Sequence, residues 1–168
     1  RPWPRHAGGF RRFHAIPRLR GCVEELRAAG NPATLRPETM GKSAMLGSLA
    51  DALALARAIP GVAPCIDIAH LQARPGDGSF NSYDEFAAML TAVRDALGAD
   101  ALKRLHFHIS GIAYGPKGER NHLTFAEADL KYDEFLRALR DFDCAGRILC
   151  ESPIMEQDAL LLQAAFGG

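Results

Sequence analysis

The spacing of hydrophobic residues changes repeatedly along this chain of 168 residues. Over several stretches, apolar residues recur every three or four positions, which is typical of one face of an amphipathic helix. A short helix ending at Gly30 is predicted first, and longer ones span 46–59, 83–97, 132–142 and 157–166. Between them lie four extended or apolar segments typical of buried strands: TLRPE (34–38), VAPCIDIAH (62–70), LHFHISGI (105–112) and RILCE (147–151).

Strands therefore alternate with helices, which is the order found in parallel βα units. Polar loops rich in glycine and proline separate them, notably 74–82 and 114–122. No segment beyond residue 20 has the composition of a linker between domains. The sequence predicts an α/β fold, with about four parallel βα units in one domain over residues 21–168.

The composition is that of a soluble globular protein. Hydrophobic residues make up 48% of the chain and charged residues 24%. No apolar run approaches the ~20 residues of a membrane helix, so no membrane contact is expected. The four cysteines form no close CxxC pair, and we interpret them as free thiols, those in apolar strand-like runs as buried. Free thiols predict a cytoplasmic protein.

Charge is unevenly distributed, although the net charge is zero. Residues 1–20 contain six arginines and no acidic residue, so the rest of the chain is net acidic, with 14 basic and 20 acidic side chains. A basic arm of this kind can contact nucleic acid phosphates. The interpretation we favour is a disordered or non-native arm, because residues 1–20 lack an apolar period and are interrupted by proline and glycine.

Side chains that bind metals are concentrated where the predicted strands end. In a parallel barrel the carboxyl ends of all strands share one face, on which active sites are built. Seven candidate ligands lie on the strands, at their ends or in the loops beyond them: Glu38, Asp67, His70, His106, His108, His122 and Glu151. This mixture of carboxylate and imidazole suits zinc, manganese or iron(II) better than calcium, which prefers oxygen ligands.

Most of these candidates also have an ordinary structural interpretation. The candidates in loops could be solvated side chains, and His70 could cap the turn after its strand. Asp67 lies between two isoleucines, where an unpaired carboxylate is costly to bury, and this favours a ligand. His106 and His108 point to the same side of their strand. One of the two is expected to bind metal and the other to support it or pack in the core, and the sequence leaves open which.

Five motifs, taken in this order, resemble the endonuclease IV family of apurinic/apyrimidinic endonucleases: PETMGK (37–42), CIDIAH (65–70), LHFHISG (105–111), NH (121–122) and LCES (149–152). That family is a TIM barrel that binds three zinc ions and cleaves the phosphodiester bond 5′ to an abasic site. The resemblance covers residues 21–165 and implies the C-terminal half of the barrel. It further implies Zn²⁺ as cofactor, in two or three copies with Mn²⁺ or Fe²⁺ as alternatives, and DNA containing abasic sites as partner.

The resemblance also assigns roles to individual residues. Glu38 and Glu151 fall on glutamates that help to bridge the metal ions in the family. They are the expected catalytic residues, because a carboxylate in this place can also orient the attacking water. Asp67 and His70 fall on an Asp-x-x-His motif in which both residues bind zinc.

The chain departs from the family pattern in three ways. Arg120 stands where the aspartate of an Asp-x-His pair is expected before His122, so one ligand is lost unless Glu119 substitutes. The strand motif falls on His106, although a shift of two residues selects His108, and it lacks the family's acidic residue. The first four strands of the barrel are missing, and two histidine ligands with them.

Four parallel strands cannot close a barrel that needs about eight. The open sheet would expose two unpaired edges, which is an aggregation hazard. We therefore expect the other half to be a separate partner, a second copy of the chain, or a part lost by truncation. An isolated half barrel is expected to bind metal poorly and could be inactive.

Three functions are compatible with these observations. The leading hypothesis is a metal-dependent phosphodiesterase that cleaves abasic DNA. The second is a sugar isomerase or epimerase of the xylose isomerase-like group, in which Glu, Asp, His and Glu surround a single ion and no basic DNA-binding surface is needed. The third is a non-catalytic remnant of a barrel, which would bind no metal.

Overall fold

A parallel sheet forms the centre of the protein, described here by a computed structural model of residues 9–167, with side chains from residue 14. Its strands are β1 (Ile66–Asp67), β2 (Leu105–Ile109) and β5 (Gly146–Cys150), in the order β1-β2-β5. Single parallel bridges join Leu35 to Val62 and Glu38 to Cys65, so the first predicted strand lies alongside the segment that leads into β1. The prediction of an α/β fold with parallel strands is confirmed.

The helices are α1 (Gly9–Ala28), α2 (Leu49–Ala58), α3 (Ile68–Ala73), α4 (Tyr83–Leu97), α5 (Tyr132–Asp141) and α6 (Glu156–Gly167), with a 3-10 turn at Ala99–Lys103. A capping box starts α2, because the Ser48 hydroxyl accepts from the Asp51 amide and the Asp51 carboxylate accepts from the Ser48 amide. Gly98, at φ 89°, ends α4 in a conformation that favours glycine.

Two strands are shorter in the structure than the sequence predicts. The run 62–70 was expected to be one strand, but the chain becomes helical at Ile68, because the Asp67 carboxylate accepts from the His70 amide and caps α3. The run 105–112 is interrupted at Ser110. From there β3 (Gly111–Gly115) and β4 (Gly118–Leu123) form an antiparallel hairpin in place of the expected polar loop.

The expectation of a disordered arm differs from the structure over residues 9–20, which belong to α1. Ile16, Leu19 and Val23 recur every three or four residues and pack against α2 and the chain after it. Pro17 lies inside this helix and hides the period in the sequence. Residues 1–8 lie outside the described part of the chain.

Helices α4 and α5 cover one face of the sheet with aromatic side chains. Phe86, Phe107 and Phe135 are at most 2% exposed. Their rings meet edge to face, with centroids 5.5 Å apart for Phe86 and Phe135 and 5.1 Å apart for Phe107 and Phe135. Since Phe107 points into this core, the alternating residues His106 and His108 of β2 lie on the opposite face of the sheet.

That opposite face is incompletely covered within the described residues. Between residues 9 and 167, no strand pairs with the outer edge of β5, and Leu149 on this strand is 46% exposed. Apolar residues of α6 are exposed as well, with Leu160 at 64%. Among residues 9–167, no helix combines the length and apolarity required to cross a membrane.

We predict that Phe135→Ala lowers the free energy of unfolding by about 3–5 kcal/mol, because it removes the ring that links α4, α5 and β2. The exposed control Leu160→Ala should change it by less than about 0.5 kcal/mol. Urea unfolding monitored by circular dichroism measures both values. Equal effects of the two substitutions would contradict this description of the core.

Candidate metal centre

The register of the sheet brings the candidate ligands to one end of one face. Asp67 pairs with His108 between β1 and β2, and Glu38 pairs with Cys65 just before β1. Glu151 follows β5 and continues the ladder, because its amide donates to the Ile109 carbonyl over 2.9 Å. Parallel pairing therefore places side chains from four chain segments next to one another.

One set of four residues, which we call the Glu38 cluster, consists of Glu38, Asp67, His108 and Glu151. Each offers one ligand atom, and these atoms lie within 4.8 Å of one another. The Nδ1 atom of His108 is 3.1 Å from Oε1 of Glu38 and 3.1 Å from Oε1 of Glu151. One ring nitrogen carries at most one hydrogen and cannot neutralise three carboxylates. The cluster is thus suited to a divalent cation.

A second set, the His122 cluster, consists of Asp67, His70 and His122, with ligand atoms again within 4.8 Å of one another. Nδ1 of His70 is 2.8 Å from the Thr39 carbonyl oxygen, and Nδ1 of His122 is 3.0 Å from that of Glu151. A carbonyl only accepts hydrogen bonds, so both Nδ1 atoms must donate. In the neutral rings, Nε2 is then left with a free lone pair, which is the usual arrangement in metal-binding histidines.

Asp67 belongs to both clusters and is 1% exposed. Its Oδ1 accepts from the His70 amide over 2.8 Å, whereas its buried Oδ2 has no hydrogen-bond partner. Oδ2 does lie 3.2 Å from Nδ1 of His70, but that nitrogen donates to Thr39. Burial raises the pKa of Asp67 to about 6, and the nearby His70 opposes this shift. An unsatisfied buried carboxylate oxygen fits a metal ligand.

The structure brings six of the seven predicted ligands into these two clusters and leaves out His106. His106 lies two residues before His108 on β2. Together with Cys65 and His108 it forms a third group of possible ligands. Burial and the nearby Arg36 lower the pKa of His106. Burial and Glu38 raise the pKa of the Cys65 thiol to about 12, so the thiol is protonated at neutral pH.

All four cysteines are free thiols, as predicted. Of the two in apolar runs, Cys65 is buried as expected, whereas Cys150 is only partly buried.

Two residues near the site were not among the predicted ligands. Thr39 is completely buried, and its hydroxyl accepts from the Asp67 amide over 2.8 Å, while its carbonyl holds His70. In the sequence, only the position of Thr39 next to Glu38 indicated that it lies at the site. Glu119 of β4 places Oε2 3.3 Å from Nε2 of His70. The sequence pattern indicated Glu119 only as a possible substitute for the missing aspartate before His122.

Asp67 also predicts a pH dependence for the metal-free protein. A carboxyl whose pKa is higher in the folded state stabilises the fold at low pH, and this contribution is lost as pH rises from about 4 through about 6. Asp67→Asn keeps the Oδ1 cap and removes the charge. With chelator present, the free energy of unfolding of this variant, minus that of the wild type, should increase by roughly 1–3 kcal/mol from pH 4 to pH 7. Urea unfolding across this range tests it, and a constant difference would contradict the shift.

Comparison with known proteins identifies the family of this chain. The family model described as "Xylose isomerase-like TIM barrel" matches residues 3–166. The chain is also 41% identical over 148 residues to the uncharacterized protein MJ0133 of Methanocaldococcus jannaschii, an alignment that covers 88% of this chain and 54% of the relative. The chain therefore spans about half the length of this curated relative. We conclude that it belongs to the xylose isomerase-like TIM barrel family.

Proposed function

We propose that this chain is part of a metal-dependent phosphodiesterase that resembles endonuclease IV and cleaves DNA 5′ to abasic sites. The observation that supports this most is the sharing of Asp67 by two ligand clusters. Two clusters that meet at one carboxylate suit at least two ions a few ångströms apart. Such an arrangement is typical of enzymes that attack phosphate esters.

Glu38, Asp67, His108 and Glu151 would hold one ion, and Asp67, His70 and His122 a second. Their carboxylates and imidazoles suit Zn²⁺, with Mn²⁺ or Fe²⁺ as alternatives. The chemistry that such ions supply when bound is a more acidic water and the neutralisation of charge on a phosphoryl group.

Glu38 and Glu151 are the proposed catalytic residues because they are the accessible carboxylates of the site. Their side chains are 32% and 31% exposed, whereas that of Asp67 is 1% exposed. Either could accept a proton from an attacking water, and both lie 3.1 Å from Nδ1 of His108. The buried Asp67 would hold the metal centre together and would not meet the substrate.

A sugar isomerase or epimerase is the second candidate, and two observations favour it. The Glu38 cluster alone contains two glutamates, an aspartate and a histidine, which is sufficient for a single-ion site. Residues 21–168 are net acidic, and a surface that binds DNA is normally basic. In this alternative, His70 and His122 would contact the substrate instead of a second ion.

The remaining part of the barrel belongs to the proposal as well. We propose that the exposed edge of β5 and the exposed side of α6 are covered by further βα units, contributed by an N-terminal half of the barrel or by a second copy of this chain. A cytoplasmic location also remains part of the proposal. If no metal binds at all, the chain is a non-catalytic remnant.

The test combines metal analysis with cleavage of a DNA duplex containing one abasic site. We expect at least one divalent ion per chain and nicking 5′ to the abasic site that chelator abolishes and Zn²⁺ restores. Ion binding with sugar isomerisation and no nicking would support the alternative. Absence of bound metal after incubation with Zn²⁺, Mn²⁺ and Fe²⁺ would reject both enzymatic functions.

We predict that Asp67→Ala lowers nicking by more than about 100-fold, because it removes a ligand that both clusters share. Asp95→Ala provides a matched control, since Asp95 lies on α4 with its side chain 63% exposed. That control should keep its full activity. Retained nicking in Asp67→Ala, measured by gel electrophoresis of the labelled duplex, would reject the proposed site.

A further inference from the structure

The hairpin of β3 and β4 contains one irregularity, and it lies beside the metal centre. Ala113 pairs with Asn121, whereas the next residue of β3, Tyr114, pairs with Glu119. Arg120 is therefore an extra, unpaired residue on β4, which defines a β-bulge. Bulges of this kind change the direction in which neighbouring side chains point.

The bulge decides which side of the hairpin Glu119 faces. In a regular strand, residues two apart share a face, so Arg120 would accompany His122 and Glu119 would point away. One inserted residue reverses this order before the bulge, and Glu119 then lies on the face of His122. This is the physical reason why the spacing in the sequence pointed to the wrong residue.

The contacts of Glu119 agree with this orientation. Its Oε2 is 3.3 Å from Nε2 of His70, and the rings of His70 and His122 lie with their centroids 5.7 Å apart. The Glu119 side chain is 18% exposed, so most of it is withdrawn from solvent. The same Oε2 atom also accepts from the Gly41 amide over 3.0 Å.

The backbone fixes Glu119 in this position. Its amide donates to the Gly41 carbonyl over 3.2 Å, so the hairpin is docked on the loop that follows Glu38. A Cβ atom at Gly41 would overlap the Glu119 carboxylate, and one at Gly118 would overlap the Gly41 carbonyl. Gly118 also adopts φ +96°, which side chains rarely tolerate. Two glycines thus allow the close approach of Glu119 to His70.

The contact between Glu119 and His70 is favourable only with a positive charge between them, which is either a proton on Nε2 or a metal ion. Because Nδ1 of His70 donates to the Thr39 carbonyl, Nε2 of the neutral ring carries a lone pair. Nε2 and Oε2 of Glu119 then face each other with lone pairs only. A metal about 2.1 Å from each of two donors, at angles of 90–110°, separates these donors by about 3.0–3.5 Å. The distance of 3.3 Å agrees with this geometry.

We propose that Glu119 is a metal ligand that binds an ion together with Nε2 of His70, at the edge of the His122 cluster. In this chain, a glutamate three residues before His122 supplies the carboxylate, and the bulge at Arg120 directs it there. This inference deepens the proposed function and rests on it, because it assumes that the His122 cluster binds a second ion.

The experiment titrates the metal-free protein with Co²⁺, followed by calorimetry and visible absorption. The wild type should bind two ions. Glu119→Gln keeps the size of the side chain and the acceptor for Gly41, so the fold should be retained. It should weaken the second ion at least about 100-fold and leave the first unchanged, because loss of a direct ligand exceeds the 10–100-fold typical of outer residues.

Two further variants separate the effect of the ligand from that of the fold. Arg120→Ala keeps the bulge and should bind both ions like the wild type. Deletion of Arg120 removes the bulge but leaves Glu119 two residues before His122 and therefore on the same face, so this variant should also bind both ions. Circular dichroism spectra identical to the wild type's would show that the fold of each variant is intact.

Unchanged binding of two ions by Glu119→Gln would overturn the proposal and leave Glu119 as a hydrogen-bond partner of Gly41. Binding of a single ion by the wild type would overturn it too. The nicking assay is independent of these outcomes. Two ions that depend on Glu119, without any cleavage of abasic DNA, would keep this inference and reject the proposed substrate.

Discussion

The concentration of negative charge at one end of the parallel sheet is the constraint on which the account of this protein depends. Asp67 is buried with one carboxylate oxygen unsatisfied, and Glu38 and Glu151 lie against the same histidine. Three carboxylates at one point are unfavourable without a cation. The fold keeps them together because parallel pairing fixes where each strand ends, so an ion bound at this point would stabilise this end of the sheet.

Local patterns in the sequence were sufficient for much of the fold. The helix over 83–97 has the predicted bounds, because its apolar stripe and Gly98 are both local signals. Strand β4 was missed because GERNHL is almost entirely polar and its partner β3 supplies the pairing. Only the C-terminal part of α1 was predicted, because Pro17 and several arginines obscured the apolar stripe in its N-terminal part.

The same distinction applies to the candidate site. Strand ends indicated Glu38, Asp67 and Glu151, since carboxylates after apolar runs are visible in a single sequence. The choice between His106 and His108 depends on how far β2 extends relative to Asp67, which is a property of register. The sequence offers Glu119 only as a possible substitute for a missing aspartate, because its orientation depends on a one-residue bulge. Pairing between distant segments therefore decides the details of the centre.

Anomalous X-ray diffraction at the zinc absorption edge, from crystals of the protein grown with Zn²⁺, tests the central claim most directly. One peak is expected within bonding distance of Glu38, Asp67, His108 and Glu151, and a second beside His70, His122 and Glu119. Fully occupied zinc elsewhere on the protein, with no peak near Asp67, would contradict the claim.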